Sequence, residues 1–365
     1  MIYLDSAATS FVKPAEVRQA MIKAMDSCAN PGRGGYKAAM TAAETVFTCR
    51  ETAAGFFHCS PEQVVFTSNC THGLNMAIFT LVKPGARVLI SGFEHNAVTR
   101  PLYALQADLV IAGRRLFDWE DTLKDFEEGL KQGVEAAIFT HVSNVFGYIL
   151  PVDEMARLCR QYDVPFVVDA AQSAGTQTID FTAWGADFVA MPGHKGLLGP
   201  QGTGILLCNR VPKPLLYGGT GSQSMRQQMP DYLPDGAEAG TVNVPGIAGL
   251  CAGMNYIKKL GCSQIRKREQ HQMHHCIDGL KKLGFRVFEG TNQSAVVSFV
   301  PPMDCQEFAD QLAKESIAVR AGLHCAPLAH QSAATLETGT VRISFGYDCT
   351  DRHTTLFLQK AARLR

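Results

Sequence analysis

The sequence predicts an α/β fold: a large domain with a mainly parallel seven-stranded sheet, followed by a smaller C-terminal α+β lobe. Three observations carry this. Seven short runs are apolar on both parities, as in strands covered on two faces: 64–67, 87–91, 107–112, 136–140, 164–169, 186–191 and 204–208. Amphipathic stretches lie between the runs, which is the alternation of a parallel sheet with crossover helices. After Gly246 the alternation gives way to two long helical stretches, 246–260 and 263–283, and then to shorter strands at 295–300 and 341–345.

Individual helices have local reasons. Residues 152–162 follow Pro151, a residue suited to a first helical turn, and place Met155, Leu158, Cys159 and Tyr162 on one side. Residues 15–25 follow Pro14 and gather Val17, Ala20, Met21 and Met25 near one face. The stretch 217–245 is rich in Gly, Pro and polar residues without being low-complexity, and reads as an ordered loop region.

Composition narrows the function. The 365 residues are 46% hydrophobic and 19% charged, with a formal net charge of zero. That is enough apolar material for a large core, and it lacks the basic excess that nucleic acid or a membrane surface would require. No signal peptide and no membrane span is expected. Twelve cysteines are present and no two are separated by only two residues, so the paired spacing of a zinc or iron–sulfur site is absent and no metal is expected. A reducing cytoplasm suits that thiol content.

In an open α/β sheet, ligands bind at the carboxyl ends of the strands, so the residues standing there matter most. Asp169 ends a fully apolar run. A carboxylate there is a helix cap, a structural ion pair, or the partner of a protonated pyridine nitrogen. Lys195 follows the next apolar run in a glycine-rich turn, Gly193-His194-Lys195-Gly196. Desolvation there lowers a lysine's pKa, so that it can form a Schiff base with a cofactor aldehyde. His95 follows the run 87–91 and is a surface histidine or a ring that stacks on a flat cofactor. Ser68-Asn69-Cys70-Thr71-His72-Gly73 opens a helix whose N-terminus favours a phosphate, although the same residues make good caps.

Together with Tyr3-Leu-Asp-Ser-Ala-Ala-Thr, Asn30-Pro-Gly-Arg33-Gly, His141-Val-Ser-Asn144, Arg320-Ala-Gly-Leu-His-Cys325-Ala-Pro and Val341-Arg342-Ile-Ser, these segments are specific as a set. Over nearly the whole chain the sequence resembles class V aminotransferase-fold enzymes, in particular cysteine desulfurases and selenocysteine lyases with a short catalytic loop. The resemblance implies a pyridoxal 5'-phosphate-dependent transferase fold of type I, with a large cofactor-binding domain at 15–245 and a small domain from 1–14 and 246–365.

It also implies roles. Lys195 would carry the cofactor, Asp169 would hold its pyridine nitrogen, and Gln172 would sit near its phenolic oxygen. His95 would stack on the ring and shuttle protons. Thr71, the backbone around Cys70, and His194 would grip the phosphate. Thr241 would reach that phosphate from the other subunit of a homodimer. Asn144 would orient cofactor or substrate, while Arg342 and Arg320 would bind the substrate, Arg342 through a bidentate fork on its carboxylate. The sequence departs from the family pattern at Pro192, where a serine or threonine is usual, and at 69–72, where the usual run is Gly-Thr-Thr-Glu.

Cys325 discriminates among reactions. A thiolate there would take sulfur from L-cysteine as a persulfide, leaving alanine, before a sulfur-acceptor protein is served. His324 and Arg320 are the neighbours expected to favour the thiolate. The alternatives are L-selenocysteine as substrate, an aminotransferase or C–S lyase of the same fold, and a silent scaffold.

Overall fold

The computed structural model describes residues 1–32 and 34–365, so Arg33 of the Asn30–Gly34 segment lies outside the described residues. The chain runs β1 (Ile2–Tyr3), α1 (Ala15–Ser27), α2 (Lys37–Phe57), β2 (Val64–Thr67), α3 (Cys70–Leu81), β3 (Arg87–Ser91), α4 (Asn96–Ala104), β4 (Asp108–Ala112), α5 (Trp119–Leu130), β5 (Ala136–Thr140), α6 (Val152–Gln161), β6 (Phe166–Asp169), α7 (Phe181–Trp184), β7 (Phe188–Pro192) and β8 (Gly204–Cys208). It continues with α8 (Val244–Leu260), α9 (Cys262–Lys282), β9 (Arg286–Phe288), β10 (Val296–Val300), α10 (Cys305–Lys314), β11 (Ile317–Ala318), β12 (Arg320–Gly322), α11 (Pro327–Ser332), β13 (Thr340–Ser344) and α12 (Asp351–Ala361).

All seven expected runs form one sheet, in the order β2-β8-β7-β6-β5-β3-β4. Only β8 runs against its neighbours, β2 and β7. The other six strands therefore end at one edge, and that edge receives the loops bearing Cys70, His95, Asn144, Asp169 and Lys195. Strands β5 to β8 are buried at every position, which is why their sequences are apolar on both parities. Helices cover both faces and build two apolar clusters, one around Phe139, Phe146 and Met191, the other around Leu74, Ile90 and Leu206.

The C-terminal sheet has the order β12-β13-β10-β9 and is antiparallel throughout. A third apolar cluster, with Phe299, Phe308 and Phe357, packs beneath it and takes in Leu4 from the N-terminus. Strands β1 and β11 pair with each other outside this sheet. Helix α8 packs against α1 and α2, and its Leu250, Met254 and Ile257 join the cluster around the large sheet. The N-terminal segment then crosses between the two sheets. Ala7 N donates to Ser344 Oγ at 2.8 Å, and the His194 carbonyl accepts from Ser10 N at 3.0 Å and Lys13 Nζ at 2.9 Å.

Candidate active site

A cavity of about 520 Å³ opens at the carboxyl edge of the sheet, lined by Asn69, Cys70, Thr71, His95, Asn144, Asp169, Gln172, Pro192, His194 and Lys195 among others. Eight of the site residues expected from the sequence, Cys70, Thr71, His95, Asn144, Asp169, Gln172, His194 and Lys195, therefore meet in one place.

The floor is built by β6 and β7. Asp169 ends β6 and is 2% exposed. Its Oδ1 accepts from Ala171 N at 2.8 Å and from Cys70 Sγ at 3.5 Å. Burial raises its pKa, opposed by the Ala171 hydrogen bond and by the Lys195 charge. Lys195 follows β7 in a turn whose Gly196 presses against the Ala174 carbonyl so closely that a Cβ would not fit. Burial lowers the lysine's pKa, with Asp169 pulling the other way. No hydrogen bond to Nζ is present among the described residues, so the amine is available.

One wall is the start of α3. Asn69 caps it, its Oδ1 accepting from His72 N at 2.9 Å. The N–H groups of Cys70 and Thr71, the first two of the helix, have no partner within it, and this end faces the cavity. The thiol of Cys70 turns to Asp169, so the backbone and Thr71 are what remain for an anion. His95 stands opposite as the cap of α4. Its Nδ1 accepts from Ala97 N at 3.0 Å, leaving Nε2 free, and burial followed by the Lys195 charge lowers its pKa to about 4. His194 is lowered to about 4 for the same leading reason, and its Nδ1 lies 3.0 Å from Thr9 Oγ1. Gln172 Nε2 donates to the Ala7 carbonyl at 2.9 Å.

Arg342, on β13, is 2% exposed. Nη2 pairs with Asp5 Oδ1 at 2.6 Å, Nη1 donates to the Asn144 carbonyl at 2.9 Å, and Nε has no partner. A buried, unsatisfied guanidinium N–H marks a place for an acceptor. Asp5 lies in the quoted Tyr3–Thr9 segment, but its pairing had no signal in the sequence, since 337 residues separate it from Arg342.

Cys325 lies beyond this wall, on the turn between β12 and α11. His324 and Cys325 both have positive φ, 51° and 57°. Asn144 Nδ2 donates to the His324 carbonyl at 2.7 Å, and Asn96 N donates to the Cys325 carbonyl at 2.7 Å. The turn is thereby tied to two segments that border the cavity. Cys325 is the one exposed cysteine among the described residues, and all twelve are unpaired.

His324, expected as a neighbour that favours the thiolate, has both ring nitrogens engaged elsewhere. It is 6% exposed, its Nε2 lies 3.3 Å from the Arg320 carbonyl and its Nδ1 3.4 Å from His330 Nε2, so neither ring nitrogen is free. Burial, then the Arg342 charge, hold it well below the usual histidine pKa. Arg320 does not line the cavity; its side chain is exposed, and its carbonyl is what contacts His324. Thr241 is also outside this chain's own cavity. It is exposed, accepts from Asn30 Nδ2 at 3.4 Å, and borders a separate cleft with Ser68 and His72. The Glu238 carboxylate anchors its loop by a fork onto buried Arg50, at 2.9 and 2.6 Å.

Residues that the sequence did not single out include Glu94. It is fully buried, with Oε1 accepting from Ser91 Oγ and from Thr140 N, and burial raises its pKa to about 8. Among the described residues no cluster of three or more metal-ligating side chains is present, and no helix is long and apolar enough to cross a membrane.

The model of one protein family, described as aminotransferase class-V, matches residues 2–355. A probable cysteine desulfurase of Methanothermobacter thermautotrophicus is 33% identical, over 95% of this chain and 90% of that protein. One of Xylella fastidiosa is 32% identical, over 100% of this chain and 91% of that protein. Among solved structures, the apo form of a cysteine desulfurase from Thermococcus onnurineus has a TM-score of 0.91 at 30% identity, covering 100% of this chain and 94% of that one.

Proposed function

The chain belongs to the aminotransferase class-V family, and on that premise we propose that it is a cysteine desulfurase, moving sulfur from L-cysteine to Cys325 and leaving L-alanine. One observation carries the reading: the one exposed thiol among the described residues is tied through Asn144 and Asn96 to the walls of the Lys195 cavity. The curated relatives named as cysteine desulfurases support it.

The residues fit pyridoxal 5'-phosphate. Lys195 offers an amine without a hydrogen bond, Asp169 a buried carboxylate, and α3 an N-terminus with two free N–H groups. Bound there, the cofactor would supply an electron sink next to the substrate.

The protein's own groups then have these tasks. Arg342 receives the substrate carboxylate at its open Nε. Lys195, its proton affinity lowered by burial, takes the proton from the substrate Cα and returns it there once the sulfur has left. The Cys325 thiolate attacks the substrate sulfur, so a sulfur–sulfur bond forms as the Cβ–sulfur bond breaks. The electron pair of the broken bond remains with Cβ and is quenched by the proton that the Cys325 thiol gave up on ionising; with Cα reprotonated, the products are alanine and a Cys325 persulfide. A sulfur-acceptor protein or a small thiol then takes the outer sulfur.

We further propose a homodimer in which Thr241 reaches the partner's phosphate site. Its exposure supports this, as do the exposed Ile22 and Met25 on α1 and Met40 and Phe47 on α2. The twelve free thiols support a reducing cytoplasm.

The test is release of alanine and sulfide from L-cysteine in the presence of dithiothreitol, beside selenide release from L-selenocysteine. Equimolar alanine and sulfide are expected. Turnover of selenocysteine alone would move the enzyme to selenium chemistry.

A further inference from the structure

The turn that carries Cys325 is strained. Two consecutive non-glycine residues lie in the left-handed region, and such geometry persists only where surrounding contacts over-determine it. The carbonyl clamps from Asn144 and Asn96 hold the backbone. A second set of contacts holds the His324 side chain, and its members are His330 and Thr335.

The direction of these contacts follows from one fixed acceptor. The Arg320 carbonyl can only accept, so His324 Nε2 carries hydrogen and donates to it at 3.3 Å. A neutral imidazole has one N–H, so His324 Nδ1 is an acceptor and takes its hydrogen bond from His330 Nε2 at 3.4 Å. In that arrangement His330 Nδ1 accepts, with Thr335 Oγ1 as the donor at 2.8 Å. Every ring nitrogen thus has a partner. The two rings are stacked, with centroids 5.7 Å apart and planes at 13°. His330 is fully buried and Thr335 is 1% exposed, so water does not substitute for either partner. Burial keeps both imidazoles neutral near pH 7, with His330 lowered to about 4. This buried three-member chain ends on the residue before the exposed Cys325.

We propose that His330 is a positioning residue for Cys325: with Thr335 it sets the tautomer and ring orientation of His324, and so maintains the left-handed turn that presents the thiol at the cavity. The idea rests on the desulfurase reading for its kinetic consequence, but not for its structural one. The experiment therefore needs one readout that is independent of turnover. Cys325 provides it, because it is the only exposed cysteine among the described residues and can be followed by iodoacetamide alkylation and mass spectrometry.

His330→Leu removes the donor to His324 and keeps an apolar side chain in the site. His330→Gln can restore a donor through its amide. Thr335→Val tests the far end of the chain with a near-isosteric change, which guards against a leucine variant that does not fold. In holoenzyme, His330→Leu is expected to lower sulfide release at least tenfold. The dependence of the cysteine-induced visible absorption change on cysteine concentration should stay within twofold of wild type. The alkylation rate of Cys325 should change at least fivefold. His330→Gln should recover most of both losses, and Thr335→Val should shift both in the same direction by a smaller factor.

Wild-type sulfide release and alkylation in His330→Leu and Thr335→Val would overturn the proposal. So would a parallel loss of the absorption change and of sulfide release, since that is general damage to the cavity. If the wild-type enzyme releases no sulfide, the desulfurase reading fails alone, and the alkylation rates still decide whether His330 positions Cys325.

Discussion

At the floor of the cavity, Lys195 and Asp169 stand at the ends of two neighbouring strands, β7 and β6, each buried along its whole length. At the rim, Cys325 stands on a turn between the three-residue strand β12 and the six-residue helix α11, with two residues in the left-handed region. The floor is held by the sheet ladder and by burial, which also lowers the lysine's proton affinity and raises that of the carboxyl group. The rim is held by individual hydrogen bonds from Asn144, Asn96 and the His324–His330 pair. A buried strand end is insensitive to losing one contact, whereas a strained turn depends on each. Chemistry that needs a perturbed pKa thus sits where burial is deep, and a thiol that must meet an outside acceptor sits where solvent reaches it.

The largest effect expected from this contrast is at the floor. Lys195→Ala should abolish the visible absorption of bound cofactor and lower turnover by about 10³-fold or more. A mutant that keeps the same absorption band would remove Lys195 from its role. Cys325→Ala should separate the two regions. It should bind cofactor and respond spectrally to cysteine, while sulfide release falls by about 10³-fold or more. Normal release in that mutant would eliminate persulfide formation at the rim.

Arg342→Lys probes the link between them, since Arg342 pairs with Asp5, donates to the Asn144 carbonyl and keeps an unpartnered Nε. Lysine keeps the charge and loses the guanidinium Nε–H. KM for cysteine should rise by about tenfold or more, equivalent to ~1.4 kcal/mol or more of lost charge-assisted bonding. An unchanged KM would mean that the substrate carboxylate binds elsewhere.

The smallest effect is on stability. His95, His141, His194 and His330 each have pKa values lowered to about 4, with burial as the first cause. In the unfolded chain they take up protons near pH 6.5, whereas the native protein does so only near 4. Stability therefore falls as pH drops through that window. Glu94 and Glu269, raised to about 8 chiefly by burial, act in the opposite sense over part of it, but they are fewer. The Tm should decline between pH 6.5 and 4, and a flat Tm would contradict neutral burial of these imidazoles.

Much of the floor was legible in the sequence because its signals are local. Consecutive apolar residues on both parities mark a strand covered on both faces, and the residue that follows marks the sheet edge. All seven strands, and with them the positions of Asp169, Lys195 and His95, follow from that rule. The short strands β9, β11 and β12, of two or three residues, are too brief to show a period.

Cys325 could be singled out from its motif, yet its surroundings could not. Asn144 is 180 residues from His324, Asp5 is 337 from Arg342, and the roles of His330 and Thr335 depend on a carbonyl at Arg320. The sequence by itself determined the sheet, the loops at its edge, and the residue types available there. Only the tertiary structure decided that Arg342 is paired with Asp5, that His324 has both nitrogens occupied, and that Arg320 is exposed outside the cavity lining. The physical reason is that a strand follows from the polarity of neighbouring residues, whereas a hydrogen bond between distant segments leaves no period along the chain and exists only once the packed elements bring donor and acceptor within 3 Å or so of each other.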